Sequence, residues 1–183
     1  MTDNHLWLEN DRIRLRAVEP EDLDVLYRIE NDTRFWKHGV SLVPYSRYAL
    51  REFIQESRQD IYADGQLRLM IEEKSDGHVC GCIDLFAFSA MHARAEVGIL
   101  VLPSEQCRGV ASEALTLLKT YAFRFLQLHQ LYAYVAERNL PAQRLFSRCG
   151  FVLSAVLPDW IRMGNHFEQV GIWTLFSNEK EKK

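Results

Sequence analysis

One stretch, AEVGILVLPSEQCRGVASEALTLLKTYAF at residues 95–123, most restricts the fold that this chain can adopt. It begins as an apolar run that stops at Pro103, and it ends with leucine and alanine at three- and four-residue steps. The apolar run indicates a strand, and the later spacing indicates an amphipathic helix. The stretch therefore predicts a strand, a tight turn and a helix in succession, and such a unit needs a sheet on which the helix can pack.

The other segments extend this unit into a mixed α/β chain. Alternation at residues 12–18 predicts a first strand, and the segments opened by Pro20 and Ser46 predict two helices. Three strands follow, the first two joined by the Asp-Gly turn of KSDGH, and Asn139 opens a helix that ends before Gly150. The order β, α, α, three strands, α, β, α, two strands predicts an α/β fold with a mixed sheet and helices on its faces.

Composition limits the classes of protein that remain. A chain of 183 residues, 48% hydrophobic and 26% charged, predicts a single domain over residues 1–183 with a short flexible C-terminal tail. The net charge of −3 offers no basic surface for nucleic acid. No apolar run approaches the roughly 18 residues of a membrane span, and the first residues lack the features of a secretory signal. We therefore expect a cytoplasmic protein that binds neither nucleic acid nor membranes.

The four cysteines show no paired CxxC spacing. Cys80 and Cys82 fall on the same face of a predicted strand, where packing is the simpler interpretation. A closed zinc site uses four ligands at recognisable spacing, and none is visible. The sequence therefore predicts no metal site and a reducing compartment.

The turn at residues 104–111 can either cradle an anion or simply connect a strand to a helix. N–H groups at a helix N-terminus have no intrahelical partner and carry partial positive charge. Gly109 lets an anion approach the backbone, Ala111 keeps the first turn open, and Arg108 can add a forked contact to phosphate. The turn lacks the Lys-Ser/Thr pair of a Walker A loop and the three glycines of a dinucleotide fingerprint.

Residues 106–111, QCRGVA, resemble the Q/R-x-x-G-x-G/A motif of the GNAT superfamily of N-acetyltransferases. The segment LHQLYAYVAERNLPAQRLFSRCGF resembles the second motif of that family, N-x-x-A-x-x-L-(Y/F)-x-x-x-G-F. The opening IRLRAVEPEDLDVLYRIEND resembles the subgroup of ribosomal-protein N-terminal and spermidine acetyltransferases. The likeness covers about residues 12–176. It implies a three-layer fold with helices on both faces of a mostly antiparallel sheet that contains a splayed parallel strand pair.

The resemblance also implies acetyl-CoA as the acetyl donor and suggests which residues hold it. Backbone N–H groups of the turn are expected to bind the phosphates, and the end of the preceding strand is expected to pair with the pantetheine arm. Asn139 matches a cofactor-contacting asparagine of the family, although helix capping alone would also explain it. The expected cofactor-binding residues are Leu100, Val101, Leu102, Gln106, Arg108, Gly109, Val110, Ala111, Asn139 and Phe146.

Acetyl transfer to an amine needs a base, because a lysine-like ammonium with a pKa near 10.4 has no lone pair to attack with. Glu96 lies mid-strand among apolar residues and matches a glutamate of the spermidine acetyltransferases, so we predict that it is the base or binds the acceptor; the alternative is a salt bridge with Arg94 or another arginine. Many relatives carry a tyrosine acid where this chain has Phe146, which has no proton to give. The sequence does not select a substitute among Tyr132, Tyr134, Ser147 and Cys149.

The segment after the first predicted helix is expected to contact the acceptor through Glu30, Asp32 and Trp36; the alternative is a solvated loop with a buried Trp anchor. Carboxylates in a cleft attract cationic amines. The sequence therefore predicts an amine N-acetyltransferase, with a polyamine acceptor placed ahead of a protein N-terminus. A non-catalytic acyl-CoA-binding module is the alternative from another class, and a homo-oligomer is left open.

Overall fold

A seven-stranded mixed sheet organises the chain in the computed structural model, which describes residues 7–36, 43–57 and 60–177. The strands are β1 (Ile13–Ala17), β2 (Leu67–Glu73), β3 (Val79–Ser89), β4 (Arg94–Val101), β5 (Gln130–Ala136), β6 (Val152–Met163) and β7 (His166–Phe176). Their order in the sheet is β1-β2-β3-β4-β5-β7-β6; β4 and β5 run parallel, and the other neighbouring pairs run antiparallel. The expected flexible tail lies largely outside the described residues.

The helices follow the predicted order, which confirms the α/β fold class. Two single-turn helices, Thr33–Trp36 and Ile61–Asp64, were not predicted, because four residues are too few to show a helical repeat. A short 3₁₀ turn, Pro20–Asp22, precedes the first helix, and a π-helical turn, Tyr121–Phe125, extends the fifth. The helices are α1 (Leu23–Glu30), α2 (Thr33–Trp36), α3 (Arg47–Glu56), α4 (Ile61–Asp64), α5 (Val110–Thr120) and α6 (Leu140–Arg148).

Apolar side chains cover the sheet in two clusters. The larger cluster packs α5 and α6 against the strands and includes Leu115, Phe146 and Leu131. The smaller cluster packs α1 and α3 against β2 and β3 through Leu26 and Leu50. The sheet is therefore the middle of three layers, as the resemblance implied.

Local sequence rules account for the ends of several elements. Ser46 Oγ accepts the N–H of Ala49 at 3.0 Å and caps α3, and Asn139 Oδ1 accepts the N–H of Ala142 at 3.2 Å and caps α6. Gly150, after α6, has a φ of +91°. These caps are confirmed where the sequence placed them, because each depends on residues a few positions apart.

The prediction that Cys80 and Cys82 share a face is wrong. The β2–β3 pairing passes from Ile71↔Gly81 to Glu72↔Val79, which leaves Cys80 as an extra residue in β3. Such a bulge reverses the alternation of side chains. Cys80 consequently packs in the larger cluster and Cys82 in the smaller one. Both thiols are free and buried. Within the described ranges no helix is long and apolar enough to cross a membrane.

Candidate active site

The parallel strands β4 and β5 separate soon after they meet. They pair at Arg94↔Gln130, Ala95↔Leu131 and Glu96↔Tyr132, and the recorded pairing ends there. Beyond Glu96, β4 continues along β3, whereas β5 continues along β7. The two strands thus form the splayed pair that the resemblance implied, and Glu96 lies at the point of separation.

The end of β4 carries the backbone groups predicted to hold the pantetheine arm. Two of these groups have partners within the chain. The Leu102 N–H donates to the Cys80 carbonyl at 2.8 Å, and the Val101 carbonyl accepts from Gln106 Nε2 at 3.1 Å. Gln106 therefore fixes the turn to the strand end, a role that the sequence did not suggest. Contacts of residues 100–102 with a cofactor stay a prediction.

The turn before α5 has the backbone shape that an anion cradle requires. Gly109 has a φ of +84° and is the N-cap of the eleven-residue helix α5, whose first N–H groups have no carbonyl one turn earlier. A Cβ at Gly109 would meet nothing closer than 3.8 Å, so its backbone conformation, and not crowding, favours glycine here. Cys107 also has a positive φ, of +62°. The turn therefore fits the phosphates of a coenzyme.

Arg108 is held beside this turn by an acid. Its Nη1 lies 2.6 Å from Glu105 Oε2, and its carbonyl accepts a hydrogen bond from Arg12 Nη1 at 2.8 Å. Arg12 also pairs with Glu113 in the first turn of α5 at 3.0 Å. The guanidinium of Arg108 remains half-exposed, with 52% of its side chain accessible. It is therefore accessible from solvent but already paired with Glu105, and its contact with a phosphate stays a prediction.

Glu96 has the properties of a general base. Its side chain is half-buried, and burial raises its pKa to about 7. Among the residues that the structure describes, no hydrogen-bond donor or ion-pair partner contacts its carboxylate. A carboxylate with a pKa near the working pH accepts a proton efficiently. The alternative, a salt bridge with Arg94 or another arginine, is not formed by the described residues, and the catalytic role of Glu96 stays a prediction.

Aromatic side chains continue from Glu96 across the sheet. Tyr132 is the register partner of Glu96, and burial, followed by the charge of Glu96, raises its pKa. Its ring meets Tyr134 edge-on at 5.8 Å, and Tyr134 stacks on Trp160 at 6.4 Å. Among the described residues, the strand register thus places the tyrosine Tyr132 next to the predicted base.

Phe146 and Asn139 are the two predicted cofactor residues of the second motif. Phe146 is 4% exposed, belongs to the larger cluster and packs edge-on against Phe151 with ring centres 5.0 Å apart. Asn139 caps α6 with its side-chain oxygen, so the capping interpretation is confirmed. Contact of either residue with acetyl-CoA stays a prediction.

The predicted acceptor residues Glu30, Asp32 and Trp36 all have partners inside the chain. Glu30 Oε1 is 2.5 Å from Arg68 Nη1, and Asp32 pairs with Arg34 at 2.6 Å. The indole N–H of Trp36 donates to the Glu30 carbonyl at 2.7 Å. The structure thus brings Glu30 and Trp36 together, and it adds an arginine that the sequence analysis did not identify.

Comparisons with known proteins identify the family to which the chain is similar. A family model described as an acetyltransferase (GNAT) domain matches residues 12–152. The chain is 26% identical over 161 residues to a spermidine N(1)-acetyltransferase from Vibrio cholerae serotype O1, which covers 88% of this chain and 91% of that relative.

Solved structures of a Vibrio cholerae spermidine N-acetyltransferase share the fold. One, in complex with CoA and spermine, superposes with a TM-score of 0.83 at 24% identity and covers 91% of this chain and 96% of its own. Another, a dodecamer in an intermediate state, gives a TM-score of 0.77 at 26% identity and covers 91% of this chain and 95% of its own. The likeness therefore extends over nearly all of both chains.

Proposed function

The chain belongs to the GNAT family of acetyltransferases, and from that premise we propose that its acceptor is the primary amine of a polyamine. The chain is an amine N-acetyltransferase, and acetyl-CoA is the acetyl donor. The observation that carries the choice of acceptor is the similarity to a spermidine N(1)-acetyltransferase along 88% of the chain. The half-buried Glu96 supports it, because an amine acceptor must lose a proton before it reacts.

The donor side of the proposed site uses the chain's backbone. The N–H groups of Arg108, Gly109, Val110 and Ala111 at the start of α5 bind the phosphates, assisted by the Arg108 guanidinium. Residues 100–102 guide the pantetheine arm into the gap between β4 and β5. Asn139 and Phe146 border that gap from α6. Acetyl-CoA supplies an activated thioester at the point where the strands separate.

The acceptor side depends on Glu96. Its carboxylate accepts the ammonium proton, directly or through a water, and the freed nitrogen attacks the thioester carbon. A C–N bond forms, the C–S bond breaks and the thiolate leaves, and the second proton of the attacking nitrogen passes to that thiolate or to water. A thiol with a pKa of about 8.5 is a tolerable leaving group near neutral pH, so Phe146 is compatible with turnover. Tyr132 lies in register with the base, but the reaction does not require it as an acid.

The distal cation of a polyamine is proposed to lie near Asp32 and Trp36. The Arg34 side chain that now pairs with Asp32 is 69% exposed, so an ammonium group can displace it without opening the core. Glu30 is tied to Arg68, whose side chain is 26% exposed, and it therefore contributes negative potential more readily than a direct contact. We also propose a cytoplasmic location and a homo-oligomer; the dodecamer reported for a similar Vibrio cholerae enzyme supports the latter.

An acceptor panel tests the proposal. CoA release is measured with spermidine, with spermine, with a peptide bearing a free N-terminus, and without amine. We expect spermidine to give the highest kcat/KM, with a KM that rises with salt because the attraction is screened. Asp32→Asn should raise KM for spermidine more than it lowers kcat, whereas Asp11→Asn, at an exposed position, should change neither.

Two results would redirect the proposal. If the polyamines are inert and the peptide is acetylated, the acceptor is a protein N-terminus. If acetyl-CoA binds but no amine is acetylated, the chain is a non-catalytic acyl-CoA-binding module.

A further inference from the structure

Three side chains suited to metal binding meet beside the turn that leads into α5. His78 ends the β2–β3 turn, Cys80 is the second residue of β3, and Glu105 ends the short helical turn Pro103–Glu105. His78 Nε2 lies 3.4 Å from Cys80 Sγ and 3.5 Å from Glu105 Oε2. The three ligand atoms lie within 4.8 Å of one another. We refer to these three residues as the His78 cluster.

Two of the three separations match the edges of a tetrahedral zinc site. Zinc binds imidazole nitrogen, carboxylate oxygen and thiolate sulfur at about 2.0–2.3 Å, which places ligands about 3.3–3.7 Å apart. The two distances from His78 Nε2 already fall in that range. The third pair, Cys80 Sγ and the Glu105 carboxylate, lies within 4.8 Å and would draw to about 3.3–3.7 Å when an ion binds.

A carboxylate orients the histidine in the manner of metal proteins. Asp76 Oδ1 lies 2.5 Å from His78 Nδ1 and also accepts the backbone N–H of His78 at 3.2 Å. This contact fixes the ring so that Nε2 points toward Cys80 and Glu105. Histidine ligands of metals usually have such a partner on the other ring nitrogen. The orientation of His78 is thus an observation independent of the three ligand types.

Burial and charge also suit a divalent cation. Cys80 is fully buried and Glu105 is 7% exposed, whereas the His78 side chain is 37% exposed and leaves an entry path for the ion and a water ligand. A neutral imidazole, a thiolate and a carboxylate sum to two negative charges, which a divalent ion balances. Arg108 donates to the same carboxylate from outside, as supporting residues around metal ligands commonly do.

We propose that the His78 cluster binds a zinc-type divalent ion through His78 Nε2, Cys80 Sγ and the Glu105 carboxylate. Thiolate and imidazole ligands select zinc or cobalt over magnesium or calcium. Binding displaces the Cys80 thiol proton to solvent. The ion ties the β2–β3 turn to the segment that leads into residues 106–111. Cysteine spacing gave no sign of this site, because its ligands come from two separate parts of the chain.

Titration with cobalt(II), followed by competition with zinc, tests the proposal without acetyl-CoA or an acceptor. We expect one equivalent per chain and the near-ultraviolet charge-transfer band of a cobalt–thiolate bond, lost on addition of zinc. Cys80→Ser should abolish the band, whereas Cys107→Ser, which removes an exposed thiol, should retain it. Asp76→Asn leaves all three ligands in place and should weaken cobalt affinity by about 10–100-fold.

Failure is readily recognised. The proposal is overturned if the folded wild-type chain gives no cobalt–thiolate band, or if the band survives Cys80→Ser. Should Cys80→Ser fail to fold by circular dichroism, His78→Gln at a partly exposed position replaces it. That variant should lose at least about tenfold in affinity if His78 is a ligand, and unchanged affinity would equally overturn the assignment.

Discussion

Asp84 and Glu96 lie on the same face of two neighbouring strands, yet only the carboxylate of Asp84 is paired with an arginine among the described residues. In the β3–β4 register Asp84 opposes Gly98 and Glu96 opposes Phe86, so the two carboxylates are two positions apart on that face. Arg68 contacts Asp84 at 2.7 Å and Glu30 at 2.5 Å. Glu96 receives no such contact from the residues that the structure describes.

The difference separates a structural charge from a chemical one. Two carboxylates share Arg68, whose planar group can donate to both at once and which cannot lose its own proton. A carboxylate held this way is poorly suited to take a proton from a substrate. Burial raises the pKa of both carboxylates, but Arg68 opposes the rise at Asp84. Nothing opposes it at Glu96, whose pKa rises to about 7. The unpaired carboxylate is therefore the one placed to act as a base.

The largest effect is expected when Glu96 is replaced. Glu96→Gln keeps the shape and removes the base, so kcat should fall by about 10²–10⁴-fold. The wild-type rate should rise with pH through about 7, because the base must be deprotonated, and that inflection should vanish in the variant. Measuring the rate of CoA release from pH 5 to 9 would show whether the inflection is present, and Glu21→Gln, at an exposed position, is the control. A Glu96→Gln enzyme with wild-type kcat and an unchanged inflection would exclude Glu96 as the base.

The same variant should alter the pH dependence of stability. The folded protein holds the Glu96 proton more tightly than the unfolded chain, because the folded pKa is raised. The resulting stabilisation is fully present below the unfolded pKa of about 4.3 and is lost as the pH rises through the folded pKa. In the wild type the free energy of unfolding should therefore fall between about pH 4.3 and pH 7, and in Glu96→Gln this fall should be smaller.

The second effect concerns the paired carboxylates. Arg68→Met leaves Asp84 and Glu30 without their cation and should lower the free energy of unfolding by about 3 kcal/mol. We take the lower end of the usual range because the Arg68 side chain retains 26% exposure. Urea denaturation measures it, and Arg34→Met, at a 69% exposed side chain, should have no measurable effect.

A double variant makes the test of Arg68 sharper. Adding Asp84→Asn to Arg68→Met removes a buried charge that has lost its partner, so the double variant should be more stable than Arg68→Met alone. If the double variant is less stable than either single one, packing and not charge pairing explains the role of Arg68.

Sequence reasoning succeeded where the determining contacts are local. Gly109, Ser46 and Asn139 were placed correctly because a turn or a cap depends on residues within one helical turn. Arg68 was missed because its partners Asp84 and Glu30 lie 16 and 38 residues away in the chain. Nothing in a strand pattern indicates which distant acid will meet an arginine.

In the candidate site, too, local features could be predicted from the sequence and tertiary contacts could not. The backbone conformation of the turn at residues 106–111 could be predicted because a short motif specifies it, and Gly109 indeed begins the helix in the left-handed region. The Arg68 partner of Glu30 could not be foreseen, because that pairing joins residues 38 positions apart and depends on tertiary packing. The pairing of Asp32 with Arg34 is local, two residues apart, and the sequence analysis overlooked it. The bulge that turns Cys80 away from Cys82 belongs with the Arg68 pairing, since it depends on the β2–β3 register.

The smallest effect is expected at Phe146, where a polar atom would enter the apolar side of the same sheet. Phe146→Tyr places a hydroxyl among the buried residues of the larger cluster and should lower the free energy of unfolding by about 1–3 kcal/mol in the absence of ligand. Turnover should stay the same or rise modestly, because the hydroxyl can donate to the departing thiolate. Phe125→Tyr, on a 59% exposed side chain, is the matched control and should change neither quantity.

The shift in Tm on adding acetyl-CoA tests whether Phe146 borders the cofactor. If it does, bound acetyl-CoA gives the new hydroxyl a hydrogen-bond partner, and the ligand should raise the Tm of Phe146→Tyr more than that of the wild type. Equal shifts in Tm would mean that Phe146 serves only the core, through its contact with Phe151. Loss of turnover in a variant that still folds and binds acetyl-CoA would show instead that the gap between β4 and β5 is shaped to exclude a hydroxyl at this position.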